Sequence, residues 1–251
     1  MFKTTEKRRE ETGKMGRLFD IDSPAMRFLS RVADLMILNL LMTLSFIPIL
    51  TAGAGFTGMH YVLLRMVRNE EGYIARGFWK SFKENFKQAT VIWLIVLAFI
   101  GVFLGDWLIF NFSALQFPKA LMVALLALFL VVCMVLCYVF PVLSRFDNTV
   151  FHTLKNALFM AVLSMPKTVL MMALYVIPAA ALYFIPQAFP FVLLFGFSAP
   201  AYFSAMLYSG TFKRFEPEEE PLTDAFSINM EGFGPEAEKE EGAAAQGGNG
   251  E

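Results

Sequence analysis

RMVRNEEGYIARGFWKSFKENFKQ, Arg65–Gln88, is the polar stretch that separates two groups of apolar segments, and its side of a membrane decides the direction of every segment after it. It sets Arg65, Arg68, Arg76, Lys80, Lys83 and Lys87 against Glu70, Glu71 and Glu84. Loops enriched in Lys and Arg are retained on the cytoplasmic side, which places this stretch inside the cell. Upstream, Met1–Arg31 carries Lys3, Lys7, Arg8, Arg9, Lys14, Arg17, Arg27 and Arg31, and belongs on the same side by the same rule. The chain between the two basic segments is therefore expected to cross twice.

Composition makes the membrane reading general. Hydrophobic residues make up 57% of the 251 residues and charged residues 17%, far from the balance of a soluble domain, and the excess lies in long blocks. The expected fold class is all-α, a polytopic transmembrane helix bundle with six spans and two cytoplasmic amphipathic helices. Residues 1–31 form a basic cytoplasmic segment, 32–212 the membrane domain, and 213–251 a tail. From Glu216 onward there are eleven Asp/Glu and one Lys, and the last part is low in complexity, so this acidic tail is expected to be disordered and cytoplasmic. Within it, Leu222–Phe233, with Phe226, Ile228, Met230 and Phe233, is a candidate docking motif, and a tail with no role is the plainer reading. Cys133 and Cys137 lie four apart in an apolar block and read as packing residues.

Along the chain, Asp22-Ser23-Pro24 reads as a helix N-cap followed by a first-turn proline. The first span is Val32–Leu50, with Pro48 ending or kinking it. A second crossing falls to Ala52–Val67, AGAGFTGMHYVLLRMV, which at 1.5 Å per residue reaches about 24 Å, short of a core about 30 Å thick. Gly53, Gly55 and Gly58 would let neighbouring backbones approach it closely; a re-entrant hairpin is the alternative. The third span, about Ala89–Phe110, follows an amphipathic segment on which Phe78, Trp79, Phe82 and Phe86 share one face beside Lys80, Lys83 and Lys87. This is either an interfacial lead-in helix or a docking surface for another subunit.

Ala120–Leu143 is the fourth span, and Val150, Phe151, Leu154, Ala157, Leu158, Ala161, Val162 and Met165 recur at helical spacing in a second amphipathic helix, Thr149–Met165. Thr168–Ile185, broken by Pro178, and Phe191–Phe212, with Pro200 inside, are the fifth and sixth spans. Both termini are then cytoplasmic, with 8, 6, 3 and 2 basic residues on inner segments against 1 and 0 on outer loops. Phe82–Phe86 and Leu154–Leu158 occupy equivalent places before their spans, too short a match to establish a repeat of three helices.

No phosphate-binding glycine loop, zinc-protease motif, hydrolase nucleophile elbow or acidic metal cluster is present. No enzyme activity, cofactor, metal or nucleic-acid partner is expected. Ionisable and polar residues within spans are the default functional candidates. Asp34 lies one turn beyond Arg31 and could pair with it. Asp106 sits close enough to the outer end of its span to reach headgroups. His60, beside Gly58 and Tyr61, could titrate or be a satisfied structural histidine. Asn39 reads as interhelical glue.

Several of these blocks carry a resemblance. Leu29–Asp34, Leu38-Asn39-Leu40, Pro48–Ala54, Ser81–Thr90 and Leu154–Leu158 resemble the YesL-like family of bacterial integral membrane proteins over about Phe19–Phe212. That family has no established activity, so the resemblance supplies no catalytic residues. It implies an association with binding-protein-dependent carbohydrate uptake, with a sugar-transporter permease or ATPase as partner alongside the lipid bilayer. Two functions follow: a non-catalytic accessory or regulatory subunit, or a small secondary carrier or channel with His60 and Asn39 near its path.

Overall fold

The computed structural model describes residues 24–70, 72–112 and 118–215, and all the regular structure among them is helical. The expectations for Asp22-Ser23 and for the acidic tail lie outside the described residues. The helices are α1 (Pro24–Phe46), α2 (Ala52–Val67), α3 (Ile74–Phe112), α4 (Lys119–Arg145), α5 (Val150–Leu163), α6 (Met165–Phe184), α7 (Phe189–Phe195) and α8 (Ser198–Phe212). Short 3-10 turns at Ile49–Thr51 and Pro186–Ala188 precede α2 and α7.

The short glycine-rich helix is the centre of the bundle. Twelve residues of the 16 in α2 are buried, and it packs against α3 above all, then α8, α4 and α1. Its glycines make this approach possible. A Cβ on Gly53 would stand 2.6 Å from both the Ala89 carbonyl oxygen and the Trp93 Cβ, and one on Gly58 would stand 2.9 Å from the Phe78 carbonyl. Gly55 meets Ser45 and Met42 of α1 in the same way. Pro48 holds an extended conformation after α1 ends at Phe46, and its ring disfavours a helical conformation at Ile47 before it. At the other end of α2, Asn69 takes a left-handed conformation (φ 56°). The Glu70 N–H donates to the Arg65 carbonyl and the Asn69 N–H to that of Met66, the paired bonds of a Schellman ending.

α3 merges two expected elements. The amphipathic lead-in and the third span form one helix of 39 residues, about 58 Å long. Only its first half is buried in the bundle, with buried positions from Phe78 to Val96, and those of α4 begin at Cys137. The Trp93 indole donates to the Ile49 carbonyl at 2.8 Å, so the α1–α2 turn lies level with Trp93. The remaining 19 residues of α3 run about 28 Å past that turn beside the first half of α4. Phe103 and Phe129 meet edge to face at 5.1 Å within this projecting pair.

Among the described residues, four helices, α1, α3, α4 and α6, are long and apolar enough to cross a membrane, and the bent α7–α8 segment makes five. Six is not reached, because α2 is too short. One expectation about proline is corrected. α6 runs unbroken through Pro178, since a helix surrounded by apolar material can absorb one lost backbone bond locally. The break falls instead at Gly196-Phe197, where the two parts of the segment diverge by 54°. Pro200 is the third residue of α8, in the first turn, where its missing N–H has no helical acceptor to lose.

α5 forms close to its expected limits with a different face inward. Its buried residues are Thr153, Ala157, Met160 and Ala161, while Phe151, Leu158 and Val162 are exposed. The inward face is rotated roughly a quarter turn toward small and hydroxyl-bearing residues.

Candidate functional site

The intramembrane polar candidates separate into an interior set and a set at the ends of α1 and α3. Asn39 is fully buried and makes three hydrogen bonds at the α7–α8 break. Its Nδ2 donates to the Leu193 carbonyl at 2.8 Å, and its Oδ1 accepts from the N–H groups of Phe197 and Ser198 at 2.8 and 2.9 Å. One amide thus serves the end of one half-helix and the start of the next, the backbone groups that a broken helix leaves without partners. These bonds join α1 to the backbone of the α7–α8 break.

His60 lies deeper in the bundle and touches two tyrosines. Its Nδ1 is 3.1 Å from the Tyr208 hydroxyl of α8, and its Nε2 is 3.5 Å from the Tyr175 hydroxyl of α6. A neutral imidazole has one donor and one acceptor nitrogen, and a phenol can meet either, so both tautomers find complementary partners. Two turns before Tyr175 on α6, the Thr168 hydroxyl donates to the carbonyls of Ala161 and Ser164 and lies 3.4 Å from the Tyr138 hydroxyl of α4. His60 is legible in the sequence as a candidate. Its tyrosine partners lie 115 and 148 residues away, inside apolar runs whose only signal is a phenol among aliphatics.

Toward the turn between α1 and α2, Phe46, Phe56, Trp93, Phe140 and Phe197 pack ring on ring, with centroids 5.2–6.3 Å apart. Four helices and the α7–α8 break each supply one ring, which fixes their relative heights.

Asp34 lines a cavity of about 590 Å³ at the start of α1 and the end of α2, together with Arg27, Arg31, Arg65, Asn69 and Glu70. The pairing of Asp34 with Arg31 is not formed. The Arg31 guanidinium donates instead to the Tyr202 hydroxyl and the Asn69 side-chain oxygen. Among the described residues the one ion pair is Arg65–Glu70, at 3.2 Å. Asp106 is half-buried on the projecting part of α3, six residues from its end, and its Oδ2 has no hydrogen-bond partner. A second cavity, about 620 Å³, is lined by Tyr61, Asn85, Gln88, Arg145 and Asp147 among others.

The aromatic face of α3 divides. Phe78 is fully buried against Gly58 and is therefore part of the core. Trp79 and Phe86 are each 38% exposed, and Phe82 stands half-buried between them, 5.0 and 5.6 Å from their ring centres. Cys133 and Cys137 are free thiols in α4, half-buried and buried. No group of three or more His, Cys, Asp or Glu side chains able to hold a metal occurs among the described residues.

The chain matches one family model, described as a protein of unknown function, DUF624, over residues 35–107. YesL-like domains are of this family, so the match agrees with the resemblance in the sequence. The matched stretch holds the second half of α1, all of α2 and most of α3, and with them Asn39, Gly53, Gly55, Gly58, His60 and the Trp79–Phe86 row. Neither a curated protein nor a solved structure matches the chain.

Proposed function

We propose that this protein is a multi-pass cell-membrane protein with cytoplasmic termini that serves as a non-catalytic accessory or regulatory subunit of a carbohydrate transporter. The observation that carries this reading is the row Trp79, Phe82 and Phe86 on the polar half of α3. Trp79 and Phe86 present apolar rings outward next to Lys80, Lys83 and Lys87, on a part of the helix that precedes its apolar run. Exposed aromatics ringed by charge suit a protein partner, here the permease or ATPase subunit that the family resemblance implies. The interior polar groups support the same reading, since Asn39 and His60 are engaged in bonds that hold helices together.

The test is affinity purification from native membranes in mild detergent, comparing the wild-type chain with Trp79→Ser/Phe86→Ser at matched expression. Recovery of a transporter subunit that the variant loses is the expected result. Wild-type protein recovered alone would remove the stable complex.

The α7–α8 break favours a second reading, a small carrier or channel. Discontinuous helices are the usual place for substrate sites in secondary transporters. That reading requires substrate flux in liposomes containing the protein alone, altered by His60→Ala.

A further inference from the structure

The polar half of α3 carries a basic stripe beside its rings. At 100° per residue, Trp79, Phe82 and Phe86 fall within about 60° of one another, and Arg76, Lys80, Lys83 and Lys87 share an arc of about 60° next to them. Glu84 falls beyond that arc, and Phe78, on the other side of the rings, is buried in the bundle. All four cations are exposed. Lys80, Lys83 and Lys87 make no ion pair among the described residues, and Arg76 lies over the Tyr73 ring, 5.5 Å from its centre. The rings and the lysines repeat with the same step, three residues and then four, so the two stripes run side by side up the helix.

The direction of α3 decides what these stripes meet. The helix is unbroken from Ile74 to Phe112 and contains no proline, so its polar half continues the line of the apolar run that begins at Ala89. Lys80 stands about 13 Å along the axis from Ala89, and still about 10 Å below the apolar run at a tilt of 40°. A headgroup layer is about 5–8 Å deep. An interfacial helix holds all its cations at headgroup depth, whereas these leave it one after another, from Lys87 through Lys83 and Lys80 to Arg76. The stripes therefore face water beyond the headgroups, and what complements them there is apolar on one side and acidic on the other.

We propose that the partner element seated on the Trp79–Phe86 row is an acidic amphipathic helix running alongside α3. Its apolar stripe covers the three rings, and carboxylates at helical spacing on one flank face Lys80, Lys83 and Lys87, the arrangement by which paired helices select one another. The bundle bounds the rings on the side of Phe78, so the acidic flank lies on the side away from it. Charges at such a rim act on the specificity and rate of association, while the rings supply the buried contact. This rests on the reading of the row as a docking surface and adds the chemistry of what docks there.

The test offers two synthetic helical peptides to the full chain in phosphatidylcholine nanodiscs, read by fluorescence anisotropy against empty discs. Both carry the same leucine stripe, flanked by glutamates in one and by lysines in the other. The glutamate peptide is expected to bind about tenfold tighter at low salt, the effect of three exposed charge pairs, with the gap closing near 0.5 M salt. Lys80→Glu/Lys83→Glu/Lys87→Glu reverses the order of the peptides and leaves the melting temperature unchanged. Equal binding of the two peptides, binding of neither, or a preference that survives the charge reversal overturns the proposal. A spin label at Lys83→Cys, in a cysteine-free background, is expected to collide with a water-soluble nickel chelate equally in phosphatidylcholine and phosphatidylglycerol discs. Loss of those collisions in phosphatidylglycerol overturns the proposal and assigns the stripe to the membrane. The accessory-subunit reading fails separately, when no transporter subunit is recovered with the wild-type chain; recovery of that subunit equally with the charge-reversed variant removes the acidic helix and leaves the accessory role standing.

Discussion

Asn39 shows how one side chain stabilises a helix break inside an apolar bundle. The Phe197 and Ser198 N–H groups and the Leu193 carbonyl have no other partner of comparable geometry, and all three converge on its amide. Asn39→Leu preserves volume and leaves these groups unbonded, at a cost of about 1–3 kcal/mol for each that stays dry. The expected result is a lowered melting temperature in detergent together with faster proteolysis near Gly196. Asn39→Asp keeps the acceptor and loses the donor to Leu193, so its melting temperature should fall between those of wild type and Asn39→Leu. Equal stability of wild type and Asn39→Leu would show that the break is held by packing alone. The sequence marks Asn39 as a bonded intramembrane polar residue, but its partners are backbone groups more than 150 residues away. Which backbone a lone amide serves depends on tertiary register, and no local pattern encodes that register.

At the scale of the helix, glycines in one chain should respond to the same substitution with opposite sign. Gly53→Ala would drive a methyl into the Ala89 carbonyl and the Trp93 Cβ, both backbone-fixed, so α2 and α3 must separate. Overpacking of this kind costs about 1–3 kcal/mol. Gly101 and Gly105 lie on the projecting half of α3 with no atom within 4 Å of an added Cβ. There Gly→Ala gains about 0.5–1 kcal/mol from helix propensity. Thermal melts in one detergent are therefore expected to fall for Gly53→Ala and to hold or rise for Gly101→Ala and Gly105→Ala; a fall for all three would remove the close-approach account. This element was legible in the sequence, because Pro48 and the glycine spacing mark both its start and its packing faces. The inward face of α5 was not. Apolar periodicity marks Leu158 and Val162, whereas the bundle buries Thr153 and Ala157 and turns larger side chains outward. In an apolar solvent, size and closeness of approach decide which face is inside, and hydrophobicity does not separate the two sides.

For the whole molecule, the number of crossings depends on how deep the α1–α2 turn lies. Charge alone requires only that Met1–Arg31 and Arg65–Lys87 share a side, which two crossings or a pair that enters and returns satisfies equally. The bond from Trp93 to Ile49 sets the turn level with Trp93, and α3 then continues for 19 residues, about 28 Å, nearly the thickness of a hydrocarbon core. If the end of α3 at Phe112 reaches the outer face, the turn stops well short of it. The pair α1–α2 then returns to its starting side, and α3, α4, α6 and the bent α7–α8 segment do the crossing. Cysteine labelling with a membrane-impermeant maleimide in a cysteine-free background reads this directly. Pro118→Cys is expected to label in intact cells, Asn148→Cys only after permeabilisation, and Leu50→Cys to resist the reagent in intact cells. Labelling of Leu50→Cys from outside as fast as Pro118→Cys would restore six crossings. It would also require α3 to tilt strongly, because two sites separated by about 28 Å along one helix could meet the same face only if that helix lay far from the membrane normal.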